Sequence, residues 1–80
     1  MASKHQTKLI KEYEAKGYYV IKLLATNKTG IPDIVCLKPN EPAIFIESKE
    51  KNDRLSPLQV YRLEELKSLG FVAFESKATK

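Results

Sequence analysis

Apolar positions change spacing along the chain, and the changes mark six elements. From Lys4 to Lys16, Leu9, Ile10 and Tyr13 share one side of a helical wheel, and Gly17 supplies a stop. "YYVIKLL" (18–24) is aromatic and β-branched and reads as a strand. A polar loop, "ATNKTG", follows. "IPDIVCL" (31–37) is a second strand, with Pro32 near its start where a missing donor is tolerated. "KPNEP" (38–42) is a turn, and "AIFIESKEK" (43–51) is the third strand. A second helix runs from Ser56 to about Leu69, where Gly70 ends it, and "FVAFES" (71–76) is the last strand. A strand, a helical crossover and another strand make a right-handed parallel unit. The expected fold is therefore α/β, an αβββαβ core with a mixed four-stranded sheet flanked by two helices. We find no linker and no repeat, so residues 1–80 form one domain.

The turn also predicts a register. Centred on Pro39 to Glu41, it sets Leu37 opposite Ala43, Val35 opposite Phe45 and Asp33 opposite Glu47. Strand side chains alternate with a period of two, so Glu47 and Lys49 lie on the face that Ala43 and Phe45 make apolar. Directly opposed residues have Cβ atoms about 4.5–5.5 Å apart. Two carboxylates at that spacing repel each other and lose hydration, which calls for a shared proton, a lysine or a divalent cation. Carboxylate oxygens suit a hard cation such as Mg²⁺ or Mn²⁺. Lys49 on the same face can orient a water or steady charge on a phosphate. The competing reading is a charged cluster at a fraying strand end.

Charge and composition narrow the partner. The net charge of +4 favours an anion, while 30% charged residues without a long like-charged block exclude a disordered tail. The single cysteine, Cys36, sits in an apolar run and cannot staple the chain, which fits a buried strand position and a reducing compartment. No apolar run is long enough for a membrane span, and the first residues lack a signal-peptide core. A cytoplasmic protein is expected, in a bacterial or phage-infected cell.

"G-I-P-D" at 30–33, "E-S-K" at 47–49 after an apolar strand, and Gln59 in the next helix resemble the PD-(D/E)xK nuclease superfamily. More closely, the chain is similar to the small stand-alone VRR-NUC proteins, from the first helix through Phe74. The resemblance implies a restriction-endonuclease-like fold and a metal-dependent endonuclease. Asp33 and Glu47, with the backbone carbonyl of Ser48, would hold Mg²⁺ or Mn²⁺, and Lys49 would assist the attacking water. It also implies a homodimer acting on branched or four-way-junction DNA. Gln59 fits a capping box begun by Ser56 and Pro57, and the resemblance adds a supporting role in catalysis. Members carry a glutamate near the start of the first helix. Here Gln6 occupies the inward face, where its amide oxygen could touch the metal or a metal-bound water more weakly, while Glu12 and Glu14 fall outside it; Glu12 replaces Gln6 only if the helix is rotated. His5 is read as an exposed terminal histidine. Lys22, Lys28, Lys51 and Arg54 flank the strand ends and fit a phosphate path, which gives salt-sensitive binding without base reading. Tyr18, Val60 and Tyr61 are candidates for a dimer surface. Two other readings remain: a nucleic-acid-binding module without activity, and a small protein-interaction domain.

Overall fold

The computed structural model of the protein describes residues 4–79. Two helices, α1 (Lys4–Ala15) and α2 (Pro57–Ser68), flank four strands, β1 (Tyr19–Lys22), β2 (Ile34–Leu37), β3 (Ile44–Lys49) and β4 (Val72–Lys77). The sheet order is β1-β2-β3-β4, antiparallel at its first two junctions and parallel between β3 and β4. The expected element order and mixed sheet are both present.

Alternation along the strands sorts the core into two layers. Ile34, Cys36 and Ile46 face α1 and pack with its Leu9. Phe45 and Ala73, of opposite parity, face Leu63 and Leu66 of α2. Cys36 is fully buried. The turn delivers the expected register, with Val35 opposite Phe45 and Ile34 opposite Ile46.

Both helices end in the same way. Gly17 at φ +92° lets the N–H of Tyr18 reach the Tyr13 carbonyl at 3.0 Å. Gly70 at φ +96° lets that of Phe71 reach Leu66 at 3.2 Å. These are Schellman closures, which need a left-handed residue. They explain one difference from the expected strand: Tyr18 is part of a helix stop and lies outside β1. Its ring is half-buried, edge-on to Tyr13 at 5.5 Å, so it is no exposed dimer candidate. Val60 and Tyr61 are exposed as expected, and Tyr19, Leu24 and Leu69 are still more so.

β2 also starts later than expected. Gly30 sits at φ +86°, Pro32 is buried, and the chain bends at Asp33 before the ladder begins at Ile34. Asp33 is thereby released from the strand while its own carbonyl still accepts from the Leu23 N–H at 2.9 Å.

Candidate active site

Because Asp33 precedes the strand, its carboxylate is not simply opposed to Glu47. It turns to the neighbouring residue, Ser48. The Ser48 N–H donates to Oδ1 at 3.0 Å and the Ser48 hydroxyl donates to Oδ2 at 2.7 Å. Continuing the β2–β3 register would place Ser48 opposite Pro32, which has no N–H to offer. The carboxylate of the next residue meets the strand end instead. This corrects the expectation that Asp33 stands directly opposite Glu47.

Gln6 reaches the same carboxylate from α1. Its Nε2 donates to Asp33 Oδ2 at 2.8 Å and to Ser48 Oγ at 3.4 Å. The inward placement of Gln6 on the helical wheel is what the structure has. Its amide nitrogen donates to a group that only accepts when ionised, so it braces Asp33. Glu12 and Glu14 are exposed, so α1 is not rotated and Glu12 does not reach the site.

Glu47 faces the other layer, with Phe45, and is only 6% exposed. Among the described residues no hydrogen bond is donated to its carboxylate. Burial pushes its pKa up from 4.5 to about 7, reinforced by Asp33; Lys49 opposes the shift and Glu75 adds slightly to it. Lys49 is half-buried on the same strand face and forms no ion pair at contact distance among the described residues. A buried carboxylate lacking a donor among the described residues, a second within electrostatic reach and a lysine beside them therefore meet at the C-terminal end of β3.

These donors fit a hard divalent cation. The oxygens of Asp33 and Glu47 are of the type that Mg²⁺ and Mn²⁺ prefer, and a cation would remove the repulsion and desolvation that raise Glu47. Among the described residues no third acidic, histidine or cysteine side chain completes a cluster. Water and the Ser48 carbonyl are the remaining oxygen donors.

The other sequence candidates spread around this centre. Gln59 is half-buried, but its Oε1 accepts the Ser56 N–H at 2.9 Å while Ser56 Oγ accepts the Gln59 N–H at 3.1 Å. That is the complete capping box, and among the described residues the Gln59 amide makes no hydrogen bond to Asp33, Glu47 or Lys49. Lys22, Lys28, Lys51 and Arg54 are all exposed. Lys28 sits in a loop that Thr26 fastens through the Lys28 N–H and carbonyl. Arg62 carries no sequence signal that sets it apart, yet it supports this loop. Its Nε donates to the Thr29 carbonyl at 3.0 Å, and its Nη1 pairs with Glu65 at 2.9 Å, so α2 holds the loop in place.

A family model described as the VRR-NUC domain matches residues 8–79. The chain belongs to the VRR-NUC domain family. A solved structure described as a VRR-NUC domain is 27% identical to it, with a TM-score of 0.81, over 98% of this chain and 88% of that one. Hjc, a Holliday junction resolvase from the archaeal hyperthermophile Archaeoglobus fulgidus, has the same fold, with a TM-score of 0.68 at 24% identity. That match covers 90% of this chain, which spans 65% of the resolvase. No curated protein matches the chain. This VRR-NUC domain thus has a nuclease fold and places the strand-end carboxylates where its own E-S-K sequence runs. Among the described residues, no helix is long and apolar enough to cross a membrane.

The fold also exposes a feature that spacing along the chain does not reveal. "E-S-K" occurs twice, at 47–49 and at 75–77, and the parallel register sets the copies side by side: Glu47 with Glu75, Ser48 with Ser76 and Lys49 with Lys77. Three residues are too short to register as a repeat, and only the pairing of β3 with β4 gives the coincidence meaning. His5 is not an exposed terminal residue. It is half-buried, its Nε2 3.1 Å from both the carbonyl oxygen and the hydroxyl of Ser76.

Proposed function

We propose that this VRR-NUC domain is a metal-dependent, structure-selective DNA endonuclease that hydrolyses phosphodiester bonds of branched or four-way-junction DNA. The observation that carries the reading is Glu47: a buried carboxylate that no donor among the described residues reaches, raised to about 7, beside Asp33 and with Lys49 two residues on. Such a group is costly to a fold unless a cation compensates it. Asp33, Glu47 and the Ser48 carbonyl would hold Mg²⁺ or Mn²⁺. The ion, when bound, supplies Lewis-acid polarisation of the phosphate and a lowered pKa for water. The Ser48 N–H, the Ser48 hydroxyl and Gln6 fix the Asp33 carboxylate, so this ligand is aimed before anything binds. Lys49 orients the attacking water and stabilises negative charge gathering on the phosphate. Gln59 supports the helix start beside the site through its cap. Lys22, Lys28, Lys51 and Arg54 contact the backbone of the DNA.

The test is incubation of labelled four-way junction, flap and linear duplex with Mg²⁺, Mn²⁺ or EDTA. Metal-dependent nicking is expected, strongest on the branched forms. Asp33→Ala, Glu47→Ala and Lys49→Ala are each expected to lower the rate by about 10²-fold or more with DNA binding retained. Cutting that persists in all three variants, or in EDTA, overturns the reading.

A homodimer completes the proposal. Tyr19, Ile21 and Leu24 expose apolar surface along and just beyond β1, the outer strand of the sheet. A two-fold pair covering it would present two sites to a two-fold junction. Sedimentation at tens of micromolar is expected to give a dimer that Tyr19→Lys dissociates; a monomer throughout refutes this part.

A further inference from the structure

A groove lies outside the metal pair, at the outer end of the sheet. Lys4, His5 and Lys8 of α1 line it together with Lys77 of β4, and Glu50 is the only carboxylate on its wall among the described residues. Lysines therefore outnumber the carboxylate three to one, and no ion pair among the described residues neutralises them. One turn of α1 links the groove to the candidate active site. Gln6 reaches inward to Asp33 and Ser48, while His5, one residue earlier, is anchored on Ser76. The repeated E-S-K makes the same connection along the sheet, since Lys77 is the register partner of Lys49 on the next strand.

We propose that this groove is a phosphate subsite, with Lys8 and Lys77 holding the backbone phosphate next to the one that Lys49 addresses. The assignment rests on the nuclease reading above and extends it to a definite strand path. The DNA strand crosses the ends of β3 and β4 and leaves over the start of α1. Lys4 adds charge at the rim. His5 acts as a positioning residue, keeping the first turn of α1 against β4 through Ser76. Nothing here reads a base, so recognition in the groove is of the sugar–phosphate backbone alone.

The test is binding of labelled four-way junction and single-stranded DNA by the full chain in EDTA, titrated with salt, so that cleavage plays no part. Lys8→Ala/Lys77→Ala is compared with Lys16→Ala/Lys67→Ala, a control of equal charge at the C-terminal ends of the two helices. The groove variant is expected to bind roughly tenfold more weakly at low salt. Its log–log salt slope should be reduced by about 0.9, for the one phosphate that is no longer neutralised. The control is expected to keep the wild-type slope, and circular dichroism should give both variants the wild-type melting profile. Equal slopes for the two variants overturn the subsite while leaving the nuclease reading in place. Binding that falls as expected while no metal supports cutting retains the subsite and defeats the nuclease reading. Wild-type protein that binds neither DNA defeats both.

Discussion

At the scale of single residues, position 6 and position 47 set the character of the site. Gln6 spends a neutral amide donor on the Asp33 carboxylate, 2.8 Å away, where a glutamate would repel it. Gln6→Glu is therefore expected to lower the stability of the metal-free chain by about 1–3 kcal/mol in urea unfolding, because a half-buried carboxylate loses one of its donors and meets a like charge. The same variant should tighten Mn²⁺ binding in calorimetry, since it adds an oxygen ligand. A variant as stable as wild type without metal would contradict the bracing role. Glu47 has a sign that can be worked out. Its pKa is raised from 4.5 to about 7, so the folded chain keeps a proton that the unfolded chain has released. Its contribution to stability is full below about pH 4.5 and is lost as pH rises through about 7. In EDTA, Glu47→Gln should flatten this fall and leave the variant more stable than wild type at pH 8, by on the order of 2 kcal/mol. Unfolding curves at pH 5 and pH 8 decide it.

At the scale of elements, the loop 25–30 and the second helix depend on each other. Arg62 holds the loop by Thr29, and Gly30 lets the chain pass beneath Leu58. A Cβ at Gly30 would lie 2.8 Å from Leu58 Cγ, and the residue's φ is +86°. Gly30→Ala is thus expected to cost about 1–3 kcal/mol from strain and overlap together. It should also move Asp33, three residues on, so activity per folded molecule should fall as well; denaturant midpoints and single-turnover rates separate the two effects. Gln59 illustrates the converse. Its place in a capping box is legible from spacing, but only the structure shows that its side-chain oxygen is used by the cap.

At the scale of the whole molecule, two thin layers enclose one sheet, and the site lies at the C-terminal end of β3, with Asp33 braced from α1 and Glu47 on the face that α2 covers. Among the described residues, buried clusters of four and three on the two faces of the sheet leave a small core, and a ligand that binds only the folded form adds directly to its stability. With millimolar Mn²⁺ the melting temperature is expected to rise by several degrees and to return on chelation, whereas Asp33→Ala/Glu47→Ala should show no shift. An equal shift in that double variant would place the cation elsewhere.

The sequence by itself determined the element order, the two-layer core and the register of β2 against β3, because apolar periodicity, the two stop glycines and a short turn are local signals. It also determined the chemistry on offer, Asp33, Glu47 and Lys49, and the family to which they point. Tertiary structure alone decided how those groups are held. Pro32 ends the ladder and frees Asp33 to bind Ser48, and α1 brings Gln6 across 27 residues of sequence onto the same carboxylate. The parallel pairing of β3 with β4 sets one E-S-K beside the other, and α1 seats His5 over Ser76 at the edge of the basic groove. These contacts join segments distant along the chain and are fixed by how the layers pack, so no local pattern encodes them.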